Sequence, residues 1–125
     1  MQSLSPTPEF LAAFARAWNQ HDADLLMTFM TDDCVFDTSS GPQVHGNRLE
    51  GAKAVKAAYA SIWATFTDAQ WLNDTHFVLG DRGVSEWTFR GTTADGKLVE
   101  TRGCDIFTFK NGKISVKDSF RKQRI

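Results

Sequence analysis

The stretch "RGCDIFTFKNGKISVKDSFRK", residues 102–122, decides how the chain is read. It places two runs of β-branched and aromatic residues around Asn111-Gly112, a pair that strongly marks a tight hairpin. Ile106, Phe107 and Phe109 lie in the first run and Ile114, Val116 and Phe120 in the second, so large apolar groups fall on both faces of both strands. Such a hairpin needs cover on both sides. Set among these groups are Asp105, Lys117 and Asp118, and the question is which way each points.

The turn governs the answer. If Lys110 and Asn111 are right-handed and Gly112 is left-handed, the loop has three residues with a bulge at the glycine, and Asp105 lies opposite Lys117. One face then carries Asp105, Phe107, Phe109, Ser115, Lys117, Ser119 and Arg121. The other carries Cys104, Ile106, Thr108, Ile114, Val116, Asp118 and Phe120. A two-residue turn would set Asp105 opposite Asp118 instead, and a one-residue slip inverts every side chain. The bulged turn is the preferred reading. On it, opposite charges share a face with Phe107 and Phe109, where partial desolvation makes pairing close to obligatory. The same residues at an exposed sheet end would form a surface ion pair of little worth.

Upstream of the hairpin, Thr7, Pro8 and Glu9 read as an N-cap, a first helical residue and an acid favoured by the helix dipole. Phe10, Phe14, Ala17 and Trp18 follow at helical spacing. Asp22 can cap a short second helix carrying Leu25, Leu26, Phe29 and Met30, and "CVFDT", residues 34–38, reads as a strand. Val55, Ala58, Tyr59, Ile62 and Phe66 form one stripe of an amphipathic helix over 51–66. After Thr67 four strand-like runs, near 69–79, 84–93, 98–109 and 113–123, are separated by turn signals, which gives an antiparallel meander. Helices first and a meander last define an α+β class, with helices covering one face of a curved sheet.

Composition limits the partners. The 125 residues suit a single domain spanning the chain, and a net charge of -1 gives no footprint for nucleic acid or an anionic membrane. No apolar run is long enough to cross a bilayer, and "MQSLSPTPEF" lacks the regions of an export signal, so a cytoplasmic location is expected. Cys34 and Cys104 suit reduced thiols within strands. No nucleophile elbow, phosphate loop or dinucleotide fingerprint is present, His45 and His76 lack partner histidines at ligand spacing, and His21 in "NQHD" reads as a solvated helix junction, so neither cofactor nor metal is expected. Ten Phe and four Trp exceed what a core of this size strictly needs, and can line a cavity.

The element order, together with "AWNQHDADLLMTFMTDDCVFD", the glycine-bearing loop before the third helix and "GCDIFTFKNGKI", resembles the nuclear transport factor 2-like (NTF2-like) superfamily. That superfamily includes ketosteroid isomerases, scytalone dehydratase, limonene epoxide hydrolase and SnoaL-type polyketide cyclases. The resemblance implies a cone-shaped fold, three N-terminal helices on a strongly curved antiparallel sheet, but not one activity. Against the isomerase pattern of a carboxylate base with a tyrosine and a protonated aspartic acid, Asp105 matches the aspartic acid and Phe14 stands in place of the tyrosine. Thr38 falls at the base position with Asp37 one place earlier. Ser119 lies nearest the acid that cyclases and epoxide hydrolases carry on the last strand, with Asp118 one residue early. Asn19 occupies the Asp position of an Asp-His dyad. Lys117 in place of an apolar pocket residue, with Arg121 further along the same face, is the distinctive departure.

The expected reading is therefore a small cofactor-independent lyase, isomerase or cyclase acting on a hydrophobic carbonyl or carboxylate compound. Asp105 is either a raised-pKa acid donating to an oxyanion or an ionised carboxylate orienting Lys117. Lys117 polarises a carbonyl, binds a carboxylate or simply pairs with Asp105. Asp37 is a general base or a capping acid. Phe14, Trp18, Tyr59, Trp87, Phe89 and Phe107 form apolar walls, and Ser119 and Arg121 supply polar contacts. The alternative is a non-catalytic ligand-binding or dimerisation domain of the same fold. The strip Ile106, Ile114, Val116 and Phe120 would lie on the convex side and meet a second copy, giving a homodimer.

Overall fold

A computed structural model describes residues 6–125; the stretch read above for export signals begins outside them. Helix α1 (Pro8–Asn19) starts where expected, with Thr7 accepting from the Phe10 amide at 3.2 Å and proline in its first turn. Helix α2 (Ala23–Met27) is capped by Asp22. Strand β1 (Met30–Asp37), strand β2 (Arg48–Glu50) and helix α3 (Ala52–Thr65) follow, then β3 (Gln70–Leu79), β4 (Arg82–Thr92), β5 (Leu98–Lys110) and β6 (Lys113–Arg121). Three helices pack on one curved six-stranded sheet of order β2-β1-β6-β5-β4-β3.

The sheet is mostly antiparallel, but β1 runs parallel to β6, which brings Phe36 beside Lys117. This pairing joins residues some eighty positions apart, and neither it nor β2 was expected from local pattern. The core under the helices is aromatic: Phe14 meets Phe107 and Trp18 edge-on, and Trp18 meets Tyr59 at 4.6 Å. Asn19 fastens α1 to β3, its amide donating to the Trp71 carbonyl at 3.0 Å and its oxygen accepting from the Trp71 amide at 2.7 Å. His21, expected at a solvated junction, is instead stacked on Trp63 at 5.1 Å with Nε2 2.7 Å from the Ala69 carbonyl.

The hairpin corrects the turn expected above. Asn111 (φ 54°) and Gly112 (φ 76°) are both left-handed, so the loop has two residues and Lys110 faces Lys113. The bulge sits instead two residues into β6. Phe109 pairs with Ile114 while Thr108 pairs with Val116, leaving Ser115 as the extra residue, its hydroxyl donating to the Thr108 carbonyl at 3.1 Å. Beyond the bulge Asp105 lies opposite Ser119, and Phe107 opposite Lys117. The parity change at the turn is undone by the bulge, so Asp105, Phe107, Lys117 and Ser119 still share the concave face. Ile114 does not lie on the convex strip; it is fully buried in the core opposite Phe109, because it precedes the bulge.

Candidate active site

Asp105 and Lys117 come together beneath the helices, both nearly closed to solvent at 6% and 5% exposure. Lys117 Nζ lies 3.2 Å from Asp105 Oδ1 and donates to Ser119 Oγ at 2.8 Å, while the Ser119 hydroxyl donates to the same carboxylate oxygen at 2.6 Å. The second oxygen, Oδ2, accepts from Trp87 Nε1 at 2.9 Å. Both carboxylate oxygens are therefore satisfied, as a buried charge requires.

Gly103 makes the tryptophan contact possible. It pairs with Trp87 across β4 and β5, and a Cβ there would sit 2.5 Å from the indole and 2.4 Å from the Phe120 carbonyl. Only glycine lets the ring lie close over the strand and reach residue 105. The "GC" before Asp105 carried this signal in the sequence.

Three rings surround the ammonium: Phe36, Trp18 and Tyr59 have centroids 4.5, 5.0 and 5.6 Å from Nζ. Burial lowers the Lys117 pKa, opposed by Asp105, whose charge and hydrogen bond raise it. The Tyr59 hydroxyl donates to Met30 Sδ at 3.6 Å, and burial raises its pKa well above the ordinary value. It stays a neutral wall.

Above this cluster opens a chamber of about 350 Å³, within the range of small-ligand sites. Trp18, Phe36, Trp71 and Trp87 supply aromatic wall, α3 and its C-cap add Ile62 and Phe66, and Thr38, Asn47, Ser119, Lys117 and Arg121 supply polar atoms. Among the described residues no carboxylate lines it. Asp105 sits behind Lys117 and Ser119, facing a second void of about 20 Å³ that Phe14 and Phe107 also line. Phe14, Phe107, Tyr59 and Phe89 thus form the layer behind the chamber wall. Arg121 is exposed at the rim with its guanidinium carbon 4.8 Å over the Phe89 ring, and its partial burial lowers its pKa. Trp18 Nε1 is buried with no partner among the described residues, which leaves a donor in the wall unused by them.

Asp37 does not enter the chamber. It alternates with the inward Phe36 and lies on the outer side of β1, where Arg48 grips both its oxygens at 2.8 and 3.0 Å. Its neighbour across the parallel pair is Asp118, whose pKa is raised by burial and by the Asp37 carboxylate. No bulge turns either acid inward. Thr38, which the resemblance set at the base position, lines the chamber, whereas Phe36, Asn47, Leu49, Ile62 and Trp71 were not expected there. They come from β1, β2, the loop between them, α3 and β3, which only tertiary pairing brings together.

The chain belongs to the SnoaL-like family, whose domain model matches residues 11–116. Its fold is the NTF2-like one: solved structures from several bacteria share it at low identity. A protein from Xanthomonas campestris pv. campestris, described as a "putative polyketide cyclase", is 20% identical over 90% of this chain and 87% of its own, with a TM-score of 0.79. One of ketosteroid isomerase-like fold from Catenulispora acidiphila, in complex with trimethylamine, is 16% identical over 91% and 85%, TM-score 0.80. An NTF2-like protein of unknown function from an Exiguobacterium species is 19% identical over 91% and 98%, TM-score 0.73. No curated protein matches. These likenesses establish the fold, while the chemistry rests on the residues above.

Proposed function

We propose that the chain is a cofactor-independent enzyme of lyase, isomerase or cyclase type, acting on a small hydrophobic compound with a carbonyl or carboxylate. One observation carries this reading: a buried ammonium, fixed by Asp105 and Ser119, forms the floor of a mainly apolar chamber. The rings take the apolar body of the ligand, and Lys117 Nζ takes its oxygen, stabilising negative charge as it develops there. Ser119 Oγ is the second polar group in reach. A substrate proton arriving on Ser119 is balanced by transfer of the hydroxyl proton to Asp105 Oδ1, already 2.6 Å away. Asp105 acts through its neighbours, because Lys117 and Ser119 stand between it and the chamber. Asn19, held by Trp71 in both directions, is not placed to act as a base.

A panel of enolisable ketones, dehydratable alcohols and their carboxylate analogues tests this. The expected result is turnover of at least one class, lost in Asp105→Asn. Binding without turnover, unaffected by that change, supports the binding-domain reading, which the lack of a carboxylate on the chamber wall favours.

The convex face supports association with a second copy. Phe77, Val84 and Ile106 form one row across β3, β4 and β5, and Leu79, Val116 and Phe120 surround it, with Phe77, Leu79 and Phe120 exposed. An apolar surface of this kind fits its own copy across a two-fold axis. Sedimentation at micromolar concentration should show a dimer that Ile106→Glu disperses; a wild-type monomer would refute it.

A further inference from the structure

A row of polar side chains crosses the aromatic concave face. His76 pairs with Ser85, Ser85 with Asp105 and Asp105 with Ser119, so four adjacent strands contribute one residue each at the same level. Paired residues share a face, and each of these positions is flanked along its strand by groups pointing the other way. His76 Nδ1 lies 2.7 Å from Ser85 Oγ, and its Nε2 lies 2.6 Å from Asp74 Oδ2. The imidazole is nearly buried at 7% exposure and Asp74 reaches solvent at 38%, on the edge strand of the sheet. Ser85 is buried, and beyond it the void of about 20 Å³ is bounded by Ser85, Asp105 and Lys117 together with apolar groups. A space of that size holds one water, and three polar side chains are what a buried water requires.

A serine, a histidine and an aspartate in hydrogen-bonded order also invite comparison with a nucleophilic triad. The surroundings exclude that role: a void of about 20 Å³ admits no acyl group to Ser85. What the row does is connect. Its inner end is the carboxylate that the reading above uses as a proton acceptor behind the chamber wall, and its outer end is solvent at the edge strand β3.

We propose that Asp74, His76 and Ser85, with one water held between Ser85 and Asp105, form a proton path from the outer edge of the sheet to the floor of the chamber. A proton leaving Asp105 passes to the water, which releases one of its own to Ser85 Oγ. The serine hydroxyl proton moves to His76 Nδ1, and the Nε2 proton moves to Asp74 and on to solvent. The water, Ser85 and the His76 ring as a whole each gain one proton and give one up, leaving the imidazole in its other tautomer until the ring reorients or a proton returns, and no oxidant or reductant is needed. Such a path lets Asp105 exchange its proton while a ligand closes the chamber. The connection stands independently of any activity; its use in turnover rests on the reading above.

The ligand-free full chain tests it in two ways. A high-resolution crystal structure of the unmodified protein should show an ordered water within hydrogen-bond reach of both Ser85 Oγ and an Asp105 oxygen; a dry void overturns the proposal. In ¹⁵N-histidine spectra at fixed pH, Asp105→Asn should shift the His76 Nδ1 resonance, and introducing Ser85→Ala into both chains should remove at least half of that response. A response of equal size without the Ser85 hydroxyl would mean a field effect through space, and the path would be rejected. Neither readout uses a substrate, so loss of the path and loss of the enzymatic reading are separate results.

Discussion

Two acid–base pairs sit on opposite faces of the same sheet, and their contrast shows what burial does to one chemistry. On the outer face Asp37 is gripped by Arg48, whose side chain remains 43% exposed. On the inner face Asp105 and Lys117 are both nearly closed to solvent and share a third partner, Ser119. Arg48 has water to fall back on while the Asp37 side chain, only 6% exposed, does not, so loss of the outer pair is compensated at one end only. The inner pair has only itself, so each charge is intolerable without the other. A single position in the alternation of β1 separates Phe36, in the ring of aromatics around Lys117, from Asp37 on the other side.

The largest effect should follow from breaking the inner pair. Lys117→Met leaves Asp105 charged and uncompensated and should destabilise the fold by about 3–5 kcal/mol in denaturant titration. Adding Asp105→Asn to that chain should recover most of the loss, since the amide oxygen can still accept from Trp87. Next in size is Gly103→Ala, which drives a methyl into the Trp87 ring and the Phe120 carbonyl. It should cost about 1–3 kcal/mol and disturb the near-ultraviolet circular dichroism of the tryptophans. On the outer face Asp37→Asn should cost roughly 1 kcal/mol and leave ligand affinity unchanged; a loss of affinity there would erase the distinction between the two faces.

The smallest effect carries a pH signature. Burial and Asp37 hold the Asp118 pKa above 3.8, so the folded protein keeps that proton to higher pH than the unfolded chain. Stability then falls as pH rises from 3.8 through the raised folded value, because over that window the folded state binds more protons. Asp118→Asn should therefore raise Tm slightly at neutral pH, and the difference from wild type should close as pH falls towards 3.8. A difference of the same size at all pH values would assign it to packing instead.

The pattern of the sequence made much of this legible. Helical spacing of Phe14 and Trp18, the Thr7 and Asp22 caps and the turn at Asn111-Gly112 all correspond to observed elements. The shared face of Asp105 and Lys117 was reached through a register that does not occur. The turn is shorter than expected and the bulge at Ser115 lies elsewhere, and the two differences cancel for residues 117–121 but not for Ile114. Hydrophobic alternation cannot locate a bulge inside a strand that carries large apolar groups on both faces, because it offers no polar phase to break. The parallel contact of β1 with β6 was illegible for another reason: nothing local names a partner so distant in sequence. That contact supplies Phe36, and with the loop after β1 it supplies Thr38 and Asn47 as well.

The central claim is that Lys117 receives the oxygen of a ligand whose apolar body lies against Trp18, Trp71 and Trp87. Quenching of intrinsic tryptophan fluorescence by an arylacetate, compared with its uncharged methyl ester, measures this directly. Saturable binding of the acid, at least about tenfold tighter than the ester, with that preference lost in the doubly substituted Lys117→Met, Asp105→Asn chain, is the result predicted. Equal affinity for acid and ester, or a preference that survives removal of the lysine, would contradict it.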